Sequence, residues 1–107
     1  MKIGLAQLRI EGGKIGANRG RASEAIEEAA EQGCDLVCLP EVFTIGYFSF
    51  DNYPRAAEAV DGETVSMLQE LARTEGIAVL AGSIVEDLGA SAERGFETPA
   101  REGYANT

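Results

Sequence analysis

The strongest constraint on this chain is an order of segments: an apolar run, an amphipathic stretch of helical length, and a second apolar run stopped by a proline. Residues 2–10, Lys-Ile-Gly-Leu-Ala-Gln-Leu-Arg-Ile, are mostly apolar and poor in charge. That pattern suits a strand buried on both faces better than an edge strand. In residues 17–32, Ala22, Ala25, Ile26 and Ala29 recur at i, i+3, i+4 and i+7, with Glu24, Glu27, Glu28 and Glu31 on the other faces. The spacing predicts a helix, with Asn18 as its N-cap and Gly33 as the residue that ends it. Asp35-Leu36-Val37-Cys38-Leu39 is the second apolar run, closed by Pro40. A strand–helix–strand unit is parallel and right-handed. The fold class expected is therefore α/β, and the residues after Pro40 leave the C-terminal edge of a parallel sheet, where open α/β sheets place their active sites.

The second half repeats the order less cleanly. Residues 41–57 carry Phe43, Tyr47, Phe48, Phe50 and Tyr53, punctuated by Gly46 and Pro54, and read as a structured loop with one short helix. Asp61 is the expected cap of a helix over about 63–75, whose buried stripe is Val65, Leu68, Leu71 and Ala72 and whose end is Gly76. Residues 77–84 read as a third strand. From 87 to 103 the sequence turns to Gly, Ala, Ser, Glu and Arg without periodicity, the pattern of an irregular, mobile loop. The 107 residues suffice for one small domain, 1–107, and not for two.

Charge and residue usage then exclude several functions. Eighteen acids against nine bases give a net charge of −9, a surface that repels phosphate backbones, so no nucleic-acid partner is expected. No apolar run approaches a membrane span, and the N-terminus lacks the signal-peptide pattern, so the expected compartment is the cytoplasm, with no membrane partner. The chain has no histidine. That removes Ser-His and Cys-His catalysis and the commonest metal ligand. Cys34 and Cys38 have neither the C-x-x-C redox spacing nor that of a zinc knuckle, and are expected as buried or half-buried free thiols. No metal or cofactor is expected.

Lys2-Ile3-Gly4-Leu5-Ala6-Gln7 is similar to the first strand of nitrilase-superfamily carbon–nitrogen hydrolases. Gly33-Cys34-Asp35-Leu36-Val37-Cys38-Leu39-Pro40-Glu41 resembles the next conserved element, and Phe43-Thr44-Ile45-Gly46-Tyr47 the aromatic-Gly-Tyr stretch that follows it. Gly82-Ser83-Ile84 resembles the end of the third strand, and Tyr104-Ala105-Asn106-Thr107 a "Y-N-T" segment with one extra residue. The resemblance covers most of residues 2–86. It implies the N-terminal portion of a four-layer α-β-β-α sandwich. It also implies hydrolysis of a small amide, nitrile or carbamoyl compound through a Glu–Lys–Cys triad, by a homo-oligomer at full length.

Of that triad, the resemblance assigns only Glu41, as general base. The family's lysine and cysteine motifs have no counterpart here: Lys2 and Lys14 sit in the first strand and the loop after it, and Cys34 and Cys38 precede Glu41. The chain alone is therefore expected to be inactive. A carboxylate just past a buried strand and a rigid proline is expected in a pocket whose desolvation raises its pKa. Phe43, Tyr47 and Phe48 are the candidate substrate-binding wall beside it, with loop packing the competing role for each. Gly82 and Ser83 fit either an approach to the pocket or a plain strand-end turn. Two rival readings differ in kind. An inactive hydrolase-like binding or assembly module would lack the lysine and cysteine motifs altogether. A flavodoxin-like ligand-binding domain would need a glycine-rich phosphate loop, and Glu11-Gly12-Gly13-Lys14-Ile15-Gly16 lacks that spacing.

Overall fold

The computed structural model describes residues Met1 to Thr107. Three short strands, β1 (Ile3–Leu5), β2 (Leu36–Cys38) and β3 (Ala78–Leu80), form a parallel sheet in the order β1-β2-β3. Ile3 pairs with Leu36 and Leu36 with Ala78; Gly4, Val37 and Val79 form the next row, and Leu5, Cys38 and Leu80 the last. The connections between these strands carry the two long helices, α1 (Ile15–Glu31) and, after a short α2 (Tyr53–Ala56), α3 (Glu63–Glu75). Beyond β3 the chain forms β4 (Val85–Asp87), α4 (Leu88–Glu93) and β5 (Tyr104–Asn106), with β5 antiparallel to β4.

The two helices pack on each other and on one face of the sheet. Because side chains alternate along a strand, Gly4, Val37 and Val79 point to that face. Val37 is enclosed with Ala22, Ile26, Ala29, Phe43, Leu68 and Ile77. A side chain at Gly4 would stand 3.3 Å from the Cys34 sulfur and 3.4 Å from the Ala29 Cβ, so glycine there lets α1 lie close to the sheet. The opposite face is bare. Ile3, Leu5 and Leu80 are 52%, 78% and 59% exposed, with Ala78 exposed and Leu36 and Cys38 half-buried between them.

Several expectations need correction. The strands are shorter than the apolar runs, and β1, expected to be buried on both faces, is an edge strand with Ile3 and Leu5 exposed. The run 77–84 is divided: β3 ends at Leu80, Gly82 turns at φ +68, and Val85 begins β4. Residues 87–103 are not wholly irregular, since α4 forms with Asp87 as its N-cap, accepting from the Ala90 N–H. Asn18 is no cap. It lies inside α1, fully buried. Its Oδ1 accepts from the Glu11 N–H, and its Nδ2 donates to the carbonyls of Glu11 and Thr44. Nor does Asp61 cap α3; the N-cap is Gly62. Glu58 does that work from a distance, accepting from the Thr64 N–H at 2.6 Å and the Thr64 hydroxyl at 2.7 Å. Gly33 and Gly76 end their helices with φ of +78 and +65, as expected of glycine.

Candidate active site

Glu41 stands three residues past β2, at the C-terminal edge of the parallel sheet. Leu39 still belongs to the ladder, donating to the Leu80 carbonyl, and Pro40 then turns the chain out. The next residue, Val42, has a φ of +49, the left-handed region. For a β-branched residue that conformation costs about 1–3 kcal/mol and persists only where the surroundings hold it. Here they do. The Val42 N–H donates to the Ser83 Oγ at 2.9 Å. Its carbonyl accepts from the N–H groups of Ile45 and Gly46. Its side chain is 2% exposed and packs with Ile45, Ala56 and Val85.

The Glu41 carboxylate itself is exposed. The enclosed, desolvating pocket expected for it is not formed by these residues. Its one side-chain partner is Asn106, whose Nδ2 donates to Oε1. Asn106 arrives there because β5 runs antiparallel to β4, with Ile84 and Thr107 exchanging both backbone hydrogen bonds just beyond the ladder.

Beside this pair lies a cavity of about 290 Å³ lined by Val42, Tyr47, Phe50, Tyr53, Val85, Tyr104, Ala105 and Asn106. Seven of the eight are hydrophobic, and none carries a charge. Tyr53 donates its hydroxyl proton to the Tyr47 carbonyl at 2.5 Å. Burial first, then the Tyr47 phenol and the Glu41 carboxylate, raise the Tyr53 pKa above its ordinary value of 10.0. Negative charge on Tyr53 is disfavoured, so it stays a hydrogen-bond donor.

The structure treats the three aromatic candidates differently. Tyr47 lines the cavity. Phe43 does not: it is fully buried in the core, packed with Ala22, Ile26 and Ala29 of α1 and Leu68 of α3. Phe48 is 85% exposed and lines no part of the cavity; its ring stacks edge-on against Tyr47 at 5.1 Å. Sequence reasoning missed Phe50, Tyr53, Val85, Tyr104 and Asn106 as lining the cavity beside the Glu41–Asn106 pair. The signal available was the Tyr-Ala-Asn-Thr segment, but only strand pairing brings it across to residue 41. Cys34 and Cys38 are free and half-buried, and neither lines the cavity. No group of three or more Asp, Glu or Cys residues is placed to hold a metal, and no helix is long and apolar enough to cross a membrane.

The carbon-nitrogen hydrolase family model matches residues 2–98, nearly the whole chain. The chain belongs to the carbon–nitrogen hydrolase family. The chloroplastic omega-amidase of Arabidopsis thaliana is 39% identical over 92 residues, covering 81% of this chain and 24% of that protein. Among solved structures, Saccharomyces cerevisiae Nit3, a member of branch 10 of the nitrilase superfamily, superposes with a TM-score of 0.75 at 28% identity. It covers 99% of this chain and 37% of Nit3. A glutamate-to-glutamine mutant of the Nesterenkonia sp. AN1 amidase, with acrylamide added at its active-site cysteine, superposes with a TM-score of 0.63 at 26% identity, over 97% of this chain and 37% of the amidase. The chain thus spans only 24% to 37% of the length of these relatives, and its mixed α/β fold agrees with the N-terminal part of an α-β-β-α sandwich.

Proposed function

We propose that this hydrolase segment supplies the general base, Glu41, to an active site that cleaves the carbon–nitrogen bond of a small amide, in a full-length enzyme that also carries the lysine and the cysteine of the triad. The observation that carries the reading is the position of Glu41. It is a carboxylate at the C-terminal edge of a parallel sheet, at the rim of an apolar cavity, with its Oε1 held by Asn106. A cysteine thiol must lose its proton before it attacks an amide carbon, and a carboxylate within hydrogen-bond reach takes it. The thiolate then adds to the carbonyl, the amine leaves with a proton, and water hydrolyses the thioester.

An amide is favoured over a nitrile because the similar proteins include an omega-amidase and an acrylamide-bound amidase. Tyr47, Phe50, Tyr53 and Tyr104 would form one wall for the non-reacting part of the substrate. Tyr47 is proposed for that wall ahead of Phe43, which is buried in the core, and Phe48, which lies outside the cavity. Residues 1–107 are proposed to be inactive by themselves, since Cys34 and Cys38 lie away from the cavity. A cytoplasmic, homo-oligomeric full-length enzyme belongs to the same proposal. The test is turnover of a simple amide by residues 1–107 and by the full-length hydrolase carrying them. The segment alone should release no ammonia, and the full-length protein should. Turnover by residues 1–107, lost in Glu41→Gln, would show that the nucleophile has been misassigned.

A further inference from the structure

Val42 and Gly82, both in the left-handed region, meet on the two sides of Glu41. Glu41 is flanked by two peptide planes, one holding the Pro40 carbonyl and the other holding the Val42 N–H. Each plane is rigid, so fixing both fixes the direction of the Glu41 Cα–Cβ bond between them. Two consecutive residues touch those planes. Ser83, 8% exposed, accepts the Val42 N–H at 2.9 Å. Gly82 lies so close to the other plane that a Cβ on it would stand 2.2 Å from the Pro40 carbonyl oxygen, 2.6 Å from its carbon and 2.7 Å from the Leu39 oxygen. With a φ of +68 as well, no residue with a side chain fits there unstrained.

We propose that Gly82 and Ser83 are positioning residues for Glu41: together they grip the peptide planes on either side of it and aim its carboxylate. The proposal rests on the reading of Glu41 as general base and goes beyond it, since it assigns a role to the end of the third strand. A strand-end turn that merely reversed the chain would need neither the backbone contact at Pro40 nor a buried hydroxyl bonded across 41 positions to Val42.

The test is steady-state turnover of a simple amide by the full-length hydrolase. Ser83→Ala should lower kcat on the order of 10- to 100-fold, the scale of a misaimed group, with KM changed by about twofold or less. Ser83→Thr keeps the hydroxyl and should restore most of kcat. Ser83→Cys, near in size but a weak acceptor, preserves the packing should alanine unfold the protein, and should show the same loss. A double-mutant cycle with Glu41→Gln separates aim from packing. Once Glu41 no longer takes a proton, Ser83→Ala or Ser83→Cys should cost nothing further. Equal fractional losses in both backgrounds, or full kcat in Ser83→Cys, would overturn the grip while leaving Glu41 in place. Normal turnover in Glu41→Gln alone would overturn both assignments.

Discussion

Asn18 shows how much one enclosed side chain can hold together. Its amide satisfies the Glu11 N–H and carbonyl and the Thr44 carbonyl, so α1, the loop after β1 and the turn after Glu41 share one polar knot. Asn18→Asp keeps the shape but turns a donor pair into an acceptor facing two carbonyls. The expected loss of stability is about 2–4 kcal/mol, the cost of buried groups left unpaired. Urea unfolding of the full-length protein measures it, and a loss under about 1 kcal/mol would contradict the buried network. Tyr53 gives a second test at this scale. Its folded pKa is raised, so the stability it contributes is fully present below its ordinary value and falls as pH rises through the folded value. Tyrosinate absorbance or NMR should place its ionisation above that of a free tyrosine. Glu41→Gln should lower it, because one of its causes is the Glu41 charge; no change would separate the two groups in space.

At the scale of elements, α1 and α3 are joined by charge as well as by packing. Arg19 on α1 bonds Glu58 at 3.0 Å and the Thr64 hydroxyl at 2.9 Å, and reaches Glu63 at 3.1 Å. The side chains of Arg19 and Glu58 are only 20% and 13% exposed. Glu58→Ala leaves Arg19 partly buried without its main partner and strips the Thr64 N–H and hydroxyl, in the first turn of α3, of their acceptor. A destabilisation of about 3 kcal/mol is expected, against less than about 1 kcal/mol for the exposed Arg73–Glu70 pair. Equal effects of Glu58→Ala and Glu70→Ala on the unfolding midpoint would contradict this. Such long-range contacts mark the limit of what the sequence discloses. The buried face of α1 was legible, because Ala22, Ile26 and Ala29 recur at the helical period and are buried; on α3 only Leu68 of the expected stripe is buried, beside Thr64, while Val65, Leu71 and Ala72 are half-buried. Though its role comes from the family resemblance alone, the position of Glu41 at the sheet edge was legible too, because Pro40 closes an apolar run that reads as a strand. The caps were not: Asn18 and Asp61 have the right chemistry at the right sequence position, but Asn18 was captured by Glu11 and Thr44, and Glu58 outcompeted Asp61 from across the turn. The cavity wall was half-legible. Aromatic residues after Glu41 announce a pocket, yet which of them face it depends on β5, whose pairing no local pattern encodes.

The whole molecule carries an unpaired surface. Ile3, Leu5, Leu36, Cys38, Ala78 and Leu80 share the sheet face that no helix covers. Contiguous apolar faces of this kind drive association in isolated domains, and open strand edges beside them add to the tendency. Residues 1–107 on their own should therefore self-associate or bind a hydrophobic dye. Light scattering after size exclusion decides it: a monodisperse 11.3 kDa monomer with a cooperative thermal transition and no dye binding would show a self-sufficient domain. The chemical account rests on Glu41, and the rate of acylation tests it most directly. In the full-length hydrolase, mixed with excess amide in a single-turnover experiment, Glu41→Gln should leave the circular dichroism unchanged and slow the first release of ammonia roughly 100-fold or more, the scale of a lost general base. Acylation at the unsubstituted rate would reduce Glu41 to an exposed loop residue and contradict the account.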